Sequence, residues 1–134
     1  MSQTINPNDA EEIALELATE DCYGLYEIEW ALNSAFPGSS NEQRVAAAST
    51  AISSLLNQGQ IEIFERIGAE NEFRRVKPER FYAASVLPES WTPSQDITLA
   101  IGATEAGNRR CFQRKNLNRA QVPTPRAAWP SSSR

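Results

Sequence analysis

Residues 51–76, AISSLLNQGQIEIFERIGAENEFRRV, contain a helix that leads directly into a β-hairpin. The apolar positions of the first part recur every three or four residues, and the helix ends at Gly59, where a left-handed backbone is needed. The alternation in IEIFERI predicts a strand, GAENE predicts a turn, and FRRV predicts the start of a returning strand. The rest of the chain is therefore expected to pack around this helix and hairpin.

Two further helices are predicted upstream. Asn6 followed by Pro7 places a capping residue before a proline at the first helical position, and an acidic first turn follows. From Leu25 the apolar spacing in LYEIEWALNSAF predicts a second helix, with Trp30 either in the core or packed against the insertion. The predicted buried positions of this second helix are Leu25, Ile28, Leu32 and Ala35.

The helix that ends at Gly59 has the clearest start signal in the chain. Ser39 and Glu42 have the spacing of a capping box, in which the serine accepts an unpaired backbone N–H and the glutamate reaches back. The predicted buried stripe is Val45, Ala48, Ile52 and Leu55. The predicted solvent face is Gln43, Arg44, Ala47, Thr50 and Ser54.

After the hairpin, PERFYAASVLPESW predicts a short helical insertion that Trp91 packs. DITLAIGATEAG predicts a strand followed by a helix that starts near Thr104. The tail QVPTPRAAWPSSSR is rich in proline and serine and has too little apolar content to order itself, so Trp129 is either part of a docking peptide or an exposed aromatic residue.

Composition excludes several classes of protein. The chain has 134 residues with 40% hydrophobic content, no apolar run near the roughly 18 residues that span a bilayer, and no signal peptide, so a cytoplasmic location is expected. The chain contains no histidine, which removes histidine-based triads and most zinc catalysis. Cys22 and Cys111 lie far apart, and the glycines form no phosphate-binding loop. We therefore expect no enzyme activity, no catalytic residue, no cofactor and no metal.

The charges are segregated along the chain. Residues 1–72 contain thirteen acidic and two basic residues, whereas residues 73–134 contain four acidic and eleven basic residues. The net charge of −4 therefore combines halves of −11 and +7. Such asymmetry is typical of a basic surface for nucleic acid or an acidic partner, and it also fits two halves that neutralise each other within the fold.

The segments LYEIEWALN, AAASTAISSLLNQGQIEIF and ITLAIGATEAGNRRCF, taken in this order, resemble the winged helix-turn-helix domain of bacterial regulators of the MarR and PadR kind. The resemblance covers about residues 8–116 and implies an α+β fold: a three-helix core, a small antiparallel β-hairpin wing, a short helical insertion and a C-terminal helix. The expected boundaries are a flexible N-terminus 1–7, recognition helix 40–57, wing 60–76, insertion 77–96, second wing strand 97–102, C-terminal helix 104–116 and a disordered tail 117–134. Three departures from the pattern occur. The link NSAFPGSSNEQ between the second and third helices is longer than the compact turn typical of the motif, the 77–96 insertion separates the hairpin arms, and the recognition helix has Arg44 as its only cation.

The resemblance implies a DNA-binding domain like that of a transcription regulator. On this interpretation Gln43, Arg44 and Thr50, beside Ala47, meet base edges, and Arg74 with Arg75 in the wing contacts phosphates. The C-terminal cations Arg109, Arg110, Arg114 and Lys115 extend the basic surface if they fold onto the same side.

The alternative is a winged helix that contacts a protein partner or a second copy of the chain. The small residues Ala46, Ala47, Ser49 and Ser53 allow another chain to approach closely, and the acidic first two helices suit a basic partner. This hypothesis explains why the third helix carries so little charge. Neither interpretation requires a membrane or a metal.

Overall fold

The computed structural model describes residues 4–68, 72–93 and 97–121, and residues 114–121 enter only as part of the last helix. Within these ranges the chain forms five α-helices, one 3₁₀ turn and four strands. The elements, in order, are α1 (Pro7–Glu20), β1 (Tyr23–Gly24), α2 (Leu25–Ala35), α3 (Asn41–Asn57), β2 (Ile61–Ile67), β3 (Arg74–Val76), α4 (Pro78–Ala84), a 3₁₀ turn (Pro88–Trp91), β4 (Ile97–Ala103) and α5 (Glu105–Gln121). The predicted α+β class is confirmed.

The four strands form one antiparallel sheet in the order β1-β4-β2-β3. The last of the described strands, β4, lies inside the sheet, where it pairs with β2 from Ile61↔Ala103 to Ile67↔Ile97. The two-residue β1 pairs with the other edge of β4, and β3 pairs with the other edge of β2. The burial of residues 98–102 agrees with the nearly continuous apolar run of β4. The sheet therefore joins the beginning, middle and end of the chain.

Helix α1 begins at Pro7, inside the segment that was expected to be flexible. The Asn6 side chain accepts the backbone N–H of Asn8 at 2.8 Å, so the predicted cap is confirmed. The buried face consists mostly of alanines, which let α1 approach its neighbours closely. Glu11, near the start of α1, contacts Gln58 at the end of α3, so the two packed helices run in opposite directions.

Helix α2 buries Leu25, Ile28 and Leu32, as predicted, whereas Ala35, the fourth predicted position, is exposed at the end of the helix. Trp30 is 54% exposed, so the prediction that it belongs to the core is wrong. A residue two positions from Ile28 and from Leu32 lies on the opposite side of a helix. There the Trp30 ring meets the Tyr26 ring edge-on, with centroids 5.0 Å apart.

The cap of α3 is one residue later than predicted. The Ser40 hydroxyl accepts the backbone N–H of Gln43 at 3.1 Å, and the Gln43 side chain accepts the Ser40 N–H at 2.8 Å. Ser39 cannot serve as this cap because its side chain is buried and its hydroxyl donates to the carbonyl of Phe36. Gly59 follows the helix at φ +70°, which confirms the predicted left-handed residue. The fully buried positions of α3 are Ala48, Ala51, Ile52 and Leu55.

The insertion between β3 and β4 is packed by Trp91, as predicted. The indole is buried against Phe81 of α4 with ring centroids 6.5 Å apart, and its N–H donates to the Ser85 carbonyl at 3.0 Å. Val86 and Leu87 had been assigned to the short helix of the insertion, but they lie beyond its end and are exposed. The described part of the insertion thus has a packed core and an apolar turn that faces outward.

Helix α5 extends from Glu105 to Gln121, beyond the predicted end at residue 116. The first five residues of the expected disordered tail are therefore helical, and residues 122–134, with Trp129, lie outside the described residues. Thr104 fixes the start of α5: its hydroxyl donates to the Gly59 carbonyl at 2.7 Å, and its backbone N–H donates to the Gln60 carbonyl at 3.0 Å. The start of α5 is thereby attached to the turn between α3 and β2.

Gly107 is required by this attachment. A Cβ at this position would lie 2.0 Å from the Gln60 carbonyl oxygen, a backbone atom that cannot move without displacing β2. We expect Gly107→Ala to lower the free energy of unfolding by about 1–3 kcal/mol through overpacking. Urea denaturation measures this change, with exposed Asn108→Ala as the control, expected within about 0.5 kcal/mol of wild type. Equal stabilities of the two variants would contradict the close approach of α5.

Glu11 predicts a pH dependence of stability. Burial alone would raise the pKa of Glu11, but hydrogen bonds from Ser54, Arg110 and Gln58 and the charge of Arg110 outweigh it and lower the pKa below 4.5. The unfolded chain then takes up the proton more readily, so this stabilisation is present above about pH 4.5 and is lost as the pH falls through the lowered pKa.

Urea unfolding followed from neutral to acidic pH tests this dependence. We expect Glu11→Gln to be less stable than wild type at neutral pH, with a difference that narrows as the pH falls below 4.5. Arg110→Met removes one cause of the lowered pKa of Glu11. The difference in unfolding free energy between wild type and Arg110→Met should therefore also narrow as the pH falls. Parallel stability curves for wild type and Glu11→Gln would show that the Glu11 carboxylate does not stabilise the fold.

Candidate interaction surface on α3

One side of α3 faces outward along its whole length, and we call it the outward face. Its residues recur every three or four positions and are small or polar. Among them only Glu42 carries a charge. The outward face consists of Glu42, Ala46, Ser49, Thr50, Ser53 and Asn57.

Arg44 does not lie on this face, so its predicted position on the solvent face is wrong. Its guanidinium forms an ion pair with Glu29 of α2, and the side chains of Arg44 and Glu29 are only 13% and 7% exposed. The same guanidinium donates to the Ser39 carbonyl, and the Asn41 side chain donates to Glu29 at 3.3 Å. The cation is satisfied inside the fold because a buried carboxylate needs a charged partner.

A signal for this pair was present in the sequence. Glu29 is four residues after Leu25 and three before Leu32, so it falls on the apolar stripe of α2. Arg44 is four residues before Ala48 and therefore falls on the apolar stripe of α3. Opposite charges on the buried stripes of adjacent helices indicate an internal ion pair.

The other α3 residues that were predicted to face DNA are Gln43, Ala47 and Thr50, and they differ in burial. Gln43 is half-buried and belongs to the helix cap. Ala47 is partly buried and packs against the core. Thr50 alone among the predicted base-reading residues is exposed. The structure thus leaves Thr50 available for direct contact and uses the others in the fold.

The predicted phosphate contacts lie on β3. Arg74 is exposed, and Arg75, with a side chain that is 70% exposed, donates to Glu62 of β2 at 2.9 Å. Arg75 shares a shallow groove of about 370 Å³ with Leu56 at the end of α3. Gln43 precedes Leu56 by thirteen residues, which is about 20 Å along a helix at 1.5 Å per residue. The structure therefore does not bring the predicted residues together in one cluster.

The C-terminal cations are described only in part. Arg110 donates to Glu11 of α1 at 2.9 Å and also to Gln60. Arg109 pairs with Glu105 at 3.1 Å on the exposed side of α5. The side chains of Arg114 and Lys115 lie outside the described part of the chain. Arg110 thus joins α1, the turn between α3 and β2, and α5.

A groove of about 500 Å³ runs beside the first half of α3. One wall is the outward face near Val45, Ala46 and Ser49, and the other is the turn after α4, which presents Val86 and Leu87. Sequence reasoning assigned these two residues to a helix and missed the groove. Nothing in the local pattern indicates which part of the fold the turn will face.

Cys22 is a half-buried free cysteine. Burial raises the pKa of the Cys22 thiol, and the charge of Asp21 raises it further, which keeps the sulfur protonated. No cluster of three or more cysteine, aspartate or glutamate side chains suited to a metal occurs in the described ranges. Nor does any helix within those ranges have the length and apolar content to cross a membrane.

The Arg44–Glu29 and Arg75–Glu62 ion pairs allow a direct comparison of a buried with an exposed interaction. Arg44→Met leaves Glu29 buried without a cation, and we expect it to cost about 3–5 kcal/mol of unfolding free energy. Arg75→Met removes an exposed pair and is expected to cost at most about 1 kcal/mol. Urea denaturation of both variants measures the difference.

A double variant provides the control for the buried pair. Glu29→Met combined with Arg44→Met removes both charges, so most of the loss should be recovered. If Arg44→Met costs no more than Arg75→Met, the Arg44–Glu29 pair does not hold α2 and α3 together.

Comparison of the chain with protein-family models, with curated proteins and with solved structures finds no match. The geometry of α3 and its neighbours is therefore the basis for a functional proposal.

Proposed function

We propose that this chain is a protein-interaction module built on a variant of the winged helix-turn-helix fold, and that the outward face of α3 is its interface. The observation that carries this proposal is the inward position of Arg44. A helix that reads DNA needs donors directed at base edges and cations near phosphates. Here the one cation of the helix neutralises Glu29 instead.

The order of the elements supports the winged-helix part of the proposal. Three helices precede a hairpin formed by β2 and β3, and α3 leads into that hairpin through Gly59. The loop between α2 and α3 spans residues 36–40. The insertion of α4 and the 3₁₀ turn between β3 and β4 distinguishes this chain from the simple pattern.

The chemistry of the outward face supports contact with protein. Protein interfaces are depleted of charge at their centre, whereas DNA-binding surfaces are strongly basic. Alanine and serine side chains allow close approach of a partner backbone, and Ser49, Thr50 and Ser53 can donate or accept hydrogen bonds. The face has a single charged residue, and that residue is acidic.

DNA binding, with the roles first assigned to Gln43, Arg44, Ala47, Thr50, Arg74 and Arg75, is the second candidate. The exposure of Arg74, Arg75 and Lys77 at β3 favours it, because cations on an exposed hairpin can contact phosphates. The pairing of Arg75 with Glu62 weakens this argument, since the carboxylate would also face the phosphate. A non-catalytic role is common to both candidates.

Site-specific photo-cross-linking tests the proposed interface. We expect a benzoylphenylalanine side chain at Ser49 or Ser53 to form a discrete adduct with another protein chain in cells of the source organism. The same group at exposed Asn108 on α5 serves as the control and should not form that adduct. Adducts that are equal at the three positions, or absent from Ser49 and Ser53, would contradict an interface on α3.

A measurement of binding to duplex DNA tests the second candidate function. Fluorescence anisotropy of a random duplex should show no saturable binding at about 50 mM salt if α3 contacts protein. Binding that weakens steeply up to about 200 mM salt, and is reduced in the Arg74→Ala/Arg75→Ala variant, would favour the DNA-binding candidate instead.

A further inference from the structure

The groove beside α3 has two walls of different origin. Val45, Ala46 and Ser49 of α3 form one wall, and Val86 and Leu87 of the turn after α4 form the other. Val86 is 77% exposed, and Val45 is only partly covered by the core. The groove therefore presents aliphatic surface on both sides, in a volume within the range of about 300–1,000 Å³ that is typical of ligand pockets.

The exposure of Val86 does not come from a loose loop. The Leu87 N–H donates to the Ala84 carbonyl at 2.9 Å, and the Ser90 N–H donates to the Leu87 carbonyl at 3.0 Å. Trp91 is buried and holds the Ser85 carbonyl through its indole N–H. The backbone on both sides of Val86 is thus fixed, and a partner would meet a wall that needs no further ordering.

The charged residue in the lining of the groove is Glu42 of α3. The charged residues of α3 are Glu42 and Arg44, and the guanidinium of Arg44 is bound to Glu29 below the surface. Glu42 is exposed and lines the groove. An incoming chain therefore meets aliphatic surface with the Glu42 carboxylate beside it, which favours a cation next to an apolar side chain.

We propose that the groove between α3 and the turn at Val86 binds a segment of a partner protein that inserts one large apolar side chain and places a lysine or arginine next to it, near Glu42. This inference rests on the proposed function and specifies the chemistry of the partner. The apolar side chain lies between Val45 and Val86, and Ala46 leaves room for the partner backbone. Burial of these aliphatic groups supplies the affinity, and Glu42 selects the charge.

A random library of 12-residue peptides displayed on phage, selected on the immobilised full chain, tests this inference. The expected result is enrichment of peptides with a large apolar residue adjacent to lysine or arginine. One enriched peptide, synthesised with a fluorophore, should bind about tenfold more weakly to Val86→Asp, because the apolar wall is lost. Its affinity for Glu42→Gln should fall about threefold, because an exposed charge contact is removed. Val86 and Glu42 are exposed, so both variants should fold normally, and urea denaturation checks this.

Ser53→Arg separates this inference from the proposed function, because Ser53 lies on the outward face beyond the lining of the groove. Binding lost in Ser53→Arg and retained in Val86→Asp would overturn the groove and leave the interface on α3 intact. Enrichment of acidic peptides, or of none, would also overturn the groove inference. The cross-linking result at Ser53 would then decide the proposed function separately.

Discussion

The ion pair between Glu29 and Arg44 determines which side of α3 faces the core and which faces solvent. A carboxylate that is only 7% exposed needs a cation and further hydrogen bonds, and Arg44 and Asn41 supply them from the first turn of α3. The Ser39 carbonyl accepts a second contact from Arg44, which attaches the loop between α2 and α3 to the first turn of α3. With this orientation the buried stripe of α3 meets the core, and Gly59 directs the chain into β2.

Other ion pairs join the acidic first half of the chain to its basic second half. Glu11 pairs with Arg110, Glu62 with Arg75, and Glu65 with Arg80 at 2.8 Å. Each pair connects a carboxylate before residue 72 to an arginine after it. The large charge separation in the sequence is thus partly neutralised within the fold, and it is weaker evidence for a nucleic-acid surface than the net charges of the two halves suggest.

The sequence predicted the elements that depend on neighbouring residues and failed where distant residues compete. IEIFERI forms a strand and Gly59 ends a helix because alternation and a missing Cβ act locally. Ser39 is at the position that the sequence pattern predicts for a helix cap. Its side chain is buried, however, and Ser40 caps α3 instead. Trp30 is a large aromatic residue of a kind that is often buried, yet it lies on the face of α2 that is exposed to solvent.

The candidate site was less predictable from the sequence than the fold, because its residues depend on partners that are distant in the chain. Thr50 could be assigned to the surface from its place on α3, whereas Arg44 could be assigned only by noting that Glu29 also falls on a buried stripe. The groove depends on a turn at Val86, 29 residues after the end of α3 at Asn57, and no periodicity in either segment indicates that the two lie close together.

The insertion gives α3 a neighbour that the helix and hairpin alone do not provide. A helix face of alanine and serine is nearly flat and offers a partner little shape to recognise. The turn held by Trp91 places Val86 beside that face and converts part of it into a concave surface. Any specificity of α3 for a partner segment would therefore reside jointly in the helix and in the insertion, because only their combination encloses a side chain. The same packing that stabilises the fold, with Phe81 and Trp91 buried against each other, thereby keeps an apolar turn in contact with solvent.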